Sequence, residues 1–199
     1  RNQKPEATPN SNKFYMGLIT IYDFFLVSVY IAVIFFFATR VRDKHISQNH
    51  IYKYYLPGLF AKIFGGIGVC LIYVYYYEGG DTTNYFESSV ALVNLLFKNT
   101  AGFFSILSGN LGGENWSLFN QETGCPAYYM WRDAKTFALV RFLCPIVLLS
   151  FKSYLTATVL LAAISYLGVW KLYKLFCELF PLLWNEMALA TLFIPSVVF

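Results

Sequence analysis

Three long stretches of this chain carry almost no charge. Residues Ile21 to Ala38 contain one charged side chain, and so do Leu59 to Tyr77, while Tyr154 to Trp170 contain none. About 20 consecutive apolar residues are enough to cross the hydrocarbon core of a bilayer. A chain inside that core must satisfy its backbone hydrogen bonds internally. The sequence therefore predicts an all-α, polytopic helical membrane protein in which these stretches are spanning helices.

The composition argues in the same direction. Hydrophobic residues make up 57% of the chain and aromatic residues 20%, against 13% charged residues, which is too apolar for an ordinary soluble domain. The net charge of +4 is spread through the connecting segments, which disfavours a nucleic-acid partner. His45 and His50 are five positions apart, and no cysteine pair has a metal-ligand spacing. We predict no metal site and no cofactor.

The two ends of the chain differ in character. The opening residues 1–20 are predominantly polar and include prolines, so they are predicted to be a lead-in rather than a helix. The closing residues "MALATLFIPSVVF" are still apolar at Phe199. We therefore expect residues 1–199 to form a single transmembrane domain, an N-terminal fragment of a longer protein, with a fourth apolar segment cut short.

Basic residues indicate the orientation. Arg40, Arg42, Lys44 and Lys53 follow the first apolar stretch, and short basic connectors stay on the cytoplasmic side of a membrane. Residues 78–136 then form a long extracytoplasmic loop. Further basic residues, at positions 171 and 174, favour the cytoplasm as well. That placement requires residues 137–150 to lie at the interface or to dip only partway into the membrane, which the sequence leaves open.

The loop contains a pattern typical of an amphipathic helix. Phe86, Val90, Val93 and Phe97 recur at helical spacing, with polar residues off that stripe. Such a helix lies in the membrane interface rather than across the bilayer. The spacing of Asn84 and Glu87, three positions apart, resembles a capping box and places the helix start near Asn84.

Asp81 stands between this helix and the second apolar stretch, in "YYYEGGDTTNYFESS". In one interpretation Gly79 and Gly80 end the preceding helix and Asp81 caps the next one. In the other, the glycines permit a tight turn that holds one carboxylate at the bilayer surface, where a lipid-linked substrate presents its reactive carbon. The residues alone leave both interpretations open.

The segment "GGDTTNY" resembles the motif of the EpsG-like and Wzy-like families of polysaccharide-assembly membrane proteins. Gly79, Asp81 and Tyr85 occupy the motif positions, while Tyr77 and Glu78 stand where an arginine is expected. The resemblance covers about the first half of the chain. It implies a glycosyltransferase or polysaccharide polymerase of the GT-C type, which uses a polyprenyl-phosphate-linked sugar donor in the bacterial inner membrane. The implied partners are membrane lipid and a polyprenyl-linked saccharide.

This chemistry assigns roles to residue types. A carboxylate must take the proton of the acceptor hydroxyl, and Asp81 is the predicted catalytic base. Positive charge must face the departing phosphate, and arginine binds phosphate in a bidentate manner. Arg132 and Arg141 are the predicted contacts, although snorkelling at the interface accounts for Arg141 equally well.

Aromatic side chains near the membrane surface are predicted to stack on sugar rings, or else to form an ordinary interfacial belt. They are Tyr85, Trp116, Tyr128, Tyr129 and Trp131. Glu87 is predicted either to assist Asp81 or to cap the loop helix. The alternative to an enzyme is a non-catalytic membrane subunit, a scaffold or transporter component, that works with other membrane subunits.

Overall fold

The computed structural model describes residues 19 to 198, so the predicted lead-in falls outside the described residues apart from its last two positions, as does Phe199. The described part of the chain is all-helical, with no β-strand, which confirms the predicted class. Its α-helices are α1 Ile21–Ile46, α2 Tyr55–Tyr75, α3 Asp81–Lys98, α4 Thr100–Leu107, α5 Gly113–Trp116, α6 Tyr128–Arg132, α7 Ala134–Leu149, α8 Tyr154–Leu179, α9 Trp184–Leu192 and α10 Pro195–Val198. Two 3₁₀ helices, His50–Tyr54 and Pro181–Leu183, precede α2 and α9.

Three helices are long and apolar enough to cross a membrane: α1, α2 with its leading 3₁₀ turn, and α8. They correspond to the three predicted stretches, but α1 continues to Ile46 rather than ending near Ala38. Arg40, Arg42 and Lys44 therefore lie on its last turns and not in a loop. The helix propensities of arginine and lysine are close to that of leucine, so these residues do not end the helix. The fourth apolar segment divides into the short helices α9 and α10.

Helices α2 and α8 pack closely in an antiparallel arrangement. Tyr166 donates a hydrogen bond of 2.6 Å to the carbonyl of Tyr55, and a Cβ atom at Gly58 would lie 2.8 Å from that hydroxyl. Further along, a Cβ atom at Gly66 would be 3.4 Å from the methyl group of Ala162. Small residues thus let the two backbones approach, as in other helix pairs within membranes.

Helix α1 packs on α8 but leaves most of its apolar surface uncovered. Phe25 is 72% exposed and Phe37 is 62% exposed. Comparable exposed residues, such as Phe64 on α2 and Leu167 on α8, extend the apolar surface. A surface of this kind is costly in water and is well suited to hydrocarbon.

Helix α3 differs from its prediction in both bounds and environment. It begins at Asp81 and ends at Lys98, and residues on several of its faces are buried, including Leu92, Val93 and Leu95. Phe97, predicted to lie on the apolar stripe, is 71% exposed. The reason is that α7 covers one side of α3, where Ser89 donates to the carbonyl of Val140, and the segment before α6 covers another.

The sequence left the placement of α7 open. In the structure, the residues just before and just after α7 both contact α3. Just before it, Met130 receives a hydrogen bond from Ser88. Just after it, the phenol of Tyr154 donates to Thr82 at 3.1 Å. At the opposite end of the bundle, Tyr52 lies 5.2 Å from Trp170, ring centroid to centroid. Tyr52 also stacks on His45 near the end of α1, so the basic ends of α1 and α8 lie at the same end of the bundle.

We expect the two ends of this bundle to lie on opposite sides of a membrane. Asn49 belongs to the basic end and Asn110 to the segment after α4. With the exposed Cys125 first replaced by serine, Asn49→Cys and Asn110→Cys should react with an impermeant maleimide from opposite sides of sealed vesicles. Reaction of both from the same side would contradict this arrangement.

Candidate functional site

A sharp turn joins α2 to α3 and determines where Asp81 lies. Three successive residues have positive φ angles: Glu78 at 51°, Gly79 at 127° and Gly80 at 147°. Glycine adopts such conformations without steric cost. A Cβ atom at Gly80 would also meet the ring of Tyr73 at 2.9 Å. The two glycines of the motif are therefore required by the turn itself.

The start of α3 is capped without Asp81. Gly80 is the N-cap residue, and its N–H donates to the hydroxyl of Thr83 at 2.9 Å, while that hydroxyl donates to the Gly80 carbonyl at 2.8 Å. Asp81 is therefore not the N-cap residue that the capping interpretation expected, although it lies in the first turn of α3, where a negative charge is favourable. The capping box expected at Asn84 and Glu87 is wrong for the same reason, since both residues lie inside the helix.

The Asp81 carboxylate has a side-chain partner from another helix. Tyr129, on α6, donates to its Oδ1 atom at 3.2 Å, and Asn84 donates to the Tyr129 oxygen at 3.2 Å. Burial and then the nearby Asp81 charge raise the pKa of Tyr129, so the phenol stays protonated as a donor. A helix that begins at Asp81 places Asn84 and Tyr85 on the same face as Asp81. The four-residue spacing between Asp81 and Tyr85 in the motif is therefore one turn of this helix.

A cavity of about 380 Å³ lies between α2, α3, α7 and α8. Its lining is mostly apolar, with Val69, Leu143 and Val147 among the contributing residues. Asp81 does not line it, but Thr82, which follows Asp81, and Tyr85, one helical turn further, do. The first turns of α3 thus carry an exposed carboxylate and also border an apolar space.

The predicted cations have contacts other than Asp81. Arg132 has its guanidinium 5.8 Å from the ring centre of Tyr128. Arg141 donates to the carbonyl of Leu107 at 3.2 Å, and its Nε atom is buried with no hydrogen-bond partner. Within residues 19 to 198, the ion pairs are Arg42 with Asp43 and Lys98 with Glu122. Neither predicted arginine forms an ion pair with Asp81.

The predicted aromatic residues divide into two groups. Tyr85 and Tyr129 belong to the Asp81 site, as described above. Trp116, Tyr128 and Trp131 form a second cluster, in which Trp116 lies 5.5 Å from Tyr128 and 5.4 Å from Trp131, measured between ring centroids. Trp131 is only 6% exposed, which leaves no ring face open for a sugar, whereas Tyr128 is 59% exposed.

Glu87 neither caps α3 nor shares a face with Asp81. Six residues separate them, which is about 120° around the helix axis. One carboxylate oxygen of Glu87 is buried with no hydrogen-bond partner. Burial raises the pKa of this carboxyl to about 7, because desolvation disfavours the charged form.

Sequence reasoning missed Thr82, Asn84 and Tyr154. Two of these lie inside "GGDTTNY", and placing the helix start at Asp81 would have put Asn84 on the face of Asp81. Tyr154 is 72 positions from Thr82 along the chain. Nothing in the local pattern around Tyr154 points to that contact.

Comparison of the chain with protein-family models, curated protein sequences and solved structures found no match. The resemblance of "GGDTTNY" to polysaccharide-assembly proteins therefore stays a prediction. Support for a function comes from the geometry of the Asp81 site and of the bundle around it.

Replacing Glu87 by glutamine should remove a pH-dependent loss of stability. Helix α3 is not among the helices long and apolar enough to cross a membrane. The folded-state pKa of Glu87 is raised from 4.5 to about 7. The stability that its protonated form confers is therefore present below pH 4.5 and is lost as the pH rises through about 7. In thermal unfolding of purified protein, Glu87→Gln should match wild type at pH 4.5 and melt higher at pH 8.5.

Glu114→Gln is the matched control, since Glu114 is exposed. Its melting temperature should follow wild type at both pH values. A Glu87→Gln variant that melts below wild type at pH 8.5 would show that the ionised carboxylate is stabilising.

Proposed function

We propose that the chain is an integral membrane protein with its basic end in the cytoplasm and the Asp81 site on the other side. The three long apolar helices and their exposed apolar surface support membrane insertion. Arg40, Lys44, Lys171 and Lys174 lie towards one end of the bundle, as the positive-inside rule requires. Helices α3 and α7 then lie together at the outer interface, where α7 covers one side of α3.

We further propose a membrane-embedded glycosyltransferase or polysaccharide polymerase that uses a polyprenyl-phosphate-linked sugar, with the bacterial inner membrane as its location. The observation that carries the proposal is an exposed carboxylate that does not cap its helix and whose neighbours Thr82 and Tyr85 line an apolar cavity. A helix-capping aspartate would have its oxygens on backbone amides, whereas Asp81 accepts from Tyr129. The carboxylate therefore has capacity left for a substrate hydroxyl.

In the proposed reaction, the Asp81 carboxylate takes the proton of the acceptor hydroxyl as that oxygen attacks the anomeric carbon. The bond between the anomeric carbon and the phosphate oxygen breaks, and its electron pair leaves with the polyprenyl phosphate. Tyr129 orients the carboxylate through its hydrogen bond, and Asn84 in turn holds the Tyr129 hydroxyl. Because Tyr129 donates to only one oxygen of Asp81, the other can accept the proton.

The cavity lined by Thr82 and Tyr85 is suited to the lipid part of the donor. Its apolar walls match a hydrocarbon chain, and Thr82, Tyr85 and Tyr154 are among its few polar lining residues. An isoprenoid chain in the cavity would bring its phosphate to the end where Asp81 lies. Binding energy from the chain would then position the reactive carbon.

Arg132 is the proposed phosphate contact. It lies on α6 three residues after Tyr129, so the two share a helix face. The side chain of Arg132 is exposed, whereas Arg141 is held by the carbonyl of Leu107. We therefore assign the phosphate to Arg132 and a structural role to Arg141.

A non-catalytic subunit, a scaffold or transporter component, is the second proposal. It is favoured by the lack of an ion pair between Asp81 and any cation in residues 19 to 198. In that case the hydrogen bond from Tyr129 would join α3 to α6 and do nothing more.

Replacing Asp81 by asparagine separates these two proposals. Asparagine keeps an oxygen that can accept from Tyr129 but cannot act as a base. If Asp81 takes a proton in the transition state, turnover should fall by roughly 10²- to 10⁴-fold. The assay measures sugar transfer from a polyprenyl-linked donor in membranes that contain the protein.

Asp133→Asn is the matched control. Asp133 caps α7 and accepts from the backbone amides of Lys135 and Thr136, and asparagine caps a helix equally well. This variant should transfer sugar normally. Wild-type transfer by Asp81→Asn would remove Asp81 from the mechanism and favour the scaffold.

Filling the cavity should weaken donor binding without touching Asp81. Val69 lines the cavity and is only partly buried, so the larger ring of Val69→Phe would occupy part of the space. Less room for the isoprenoid chain should weaken donor binding, and a loss of about 1.4 kcal/mol corresponds to roughly a 10-fold rise in KM for the lipid-linked donor. Gly168→Leu, at a position with no neighbour within 4 Å, should leave KM unchanged. Equal KM values for both variants would place the lipid elsewhere.

A further inference from the structure

A second cavity lies at the basic end of the bundle, opposite the end that carries Asp81. Its volume is about 260 Å³, and it is enclosed by the start of the first 3₁₀ helix, the last turns of α8 and the start of α9. Its lining residues include Asn49, His50, Lys174, Glu178 and Trp184. We call it the basic-end pocket.

The basic-end pocket is lined by one basic and one acidic side chain that do not form an ion pair. Lys174 and Glu178 both line it and are four residues apart on α8, a spacing at which such residues commonly pair. The ion pairs of the described residues involve neither of them. Lys174, which is partly buried, and Glu178, which is exposed, thus line one shared space without pairing.

The surroundings of the pocket are typical of the headgroup region of a membrane. Lys53 has its ammonium group 4.0 Å from the ring centre of Trp184, and the phenol of Tyr54 donates to Asn185 at 2.8 Å. Tryptophan, tyrosine and lysine concentrate where a bilayer meets water. His50 is also the first residue of the second membrane-crossing segment, so the pocket lies where that segment begins.

The charge pattern selects among lipid headgroups. A phosphate is attracted by Lys174 and can accept a hydrogen bond from His50 or Asn49. A primary ammonium can donate hydrogen bonds to the Glu178 carboxylate, whereas a trimethylammonium has no N–H to donate. A purely anionic headgroup would place negative charge against Glu178, which is unfavourable.

We propose that the basic-end pocket binds the headgroup of a phospholipid that carries both a phosphate and a primary ammonium, that is, a phosphoethanolamine lipid. Lys174 holds the phosphate and Glu178 holds the ammonium. The proposal rests on the proposed membrane orientation and does not depend on sugar transfer. Its failure would leave the role of Asp81 untouched.

The test is lipid retention by the purified full chain. Protein in detergent is mixed with equal amounts of phosphatidylethanolamine, phosphatidylglycerol and phosphatidylcholine, and the retained lipids are counted by native mass spectrometry. Wild type should retain phosphatidylethanolamine roughly 10-fold more than either other lipid, since one charge-assisted hydrogen bond supports a difference of that size.

Two variants act on the two charges separately. Lys174→Gln should reduce retention of phosphatidylethanolamine roughly 10-fold. Glu178→Gln should remove the preference for phosphatidylethanolamine over phosphatidylglycerol, because the carboxylate that binds the ammonium and repels a second anion is gone. Lys171→Gln is the matched control, since Lys171 is exposed on the same helix and does not line the pocket.

Each variant is first checked for a monodisperse elution profile and a wild-type melting temperature. Equal retention of the three lipids by wild type would overturn the proposal. So would an equal loss in Lys171→Gln, which would indicate general surface attraction. Displacement of the lipid by soluble phosphoethanolamine at matched concentration would also overturn it, because the pocket would then take a water-soluble ligand.

Discussion

The antiparallel contact between α2 and α8 determines where both ends of the molecule lie. Tyr166 donates to the Tyr55 carbonyl, and the absence of a side chain at Gly58 leaves room for that phenol. Because a buried hydroxyl must keep its partner, the contact resists sliding of one helix along the other. The end of α2 is thereby held beside the start of α8. The α2–α3 turn, Asp81 and Tyr154 consequently meet at one end of the bundle.

The Asp81 site follows from this placement and from the chemistry of a short turn. Residues 78–80 reverse the chain in a conformation that suits glycine at two of the three positions. Thr83 then satisfies the first backbone groups of α3, so the carboxylate next to the turn is not required for capping. Asp81 accepts a hydrogen bond from Tyr129 at one oxygen, and the neighbouring Thr82 and Tyr85 line an apolar cavity.

The sequence alone was enough to predict the three long apolar helices, because a near-absence of charge over the length that spans a bilayer is a strong signal. It also drew attention to Gly79 and Gly80, which have positive φ angles in the structure, while the roles predicted for Asp81 and Tyr85 stay predictions. It failed for α3, since the stripe through Phe97 suggested one buried face, whereas α7 and the segment before α6 bury several faces. It also failed for Trp131 as a sugar-binding residue, because burial of an aromatic ring depends on distant neighbours such as Phe119 and Phe137. Contacts between Thr82 and Tyr154 depend on tertiary packing that no local pattern encodes.

The hydrogen bond between Thr82 and Tyr154 has a consequence for how the protein is made. The two residues are 72 positions apart, and a chain is synthesised from its N-terminus. Helix α3 therefore emerges, and its first turn forms, well before its partner on α8 exists. Contacts between distant parts of a chain generally form late in folding. The neighbourhood of Asp81 is thus completed only when α8 has entered the bundle, so an immature chain halted before that point would carry the motif without its surroundings.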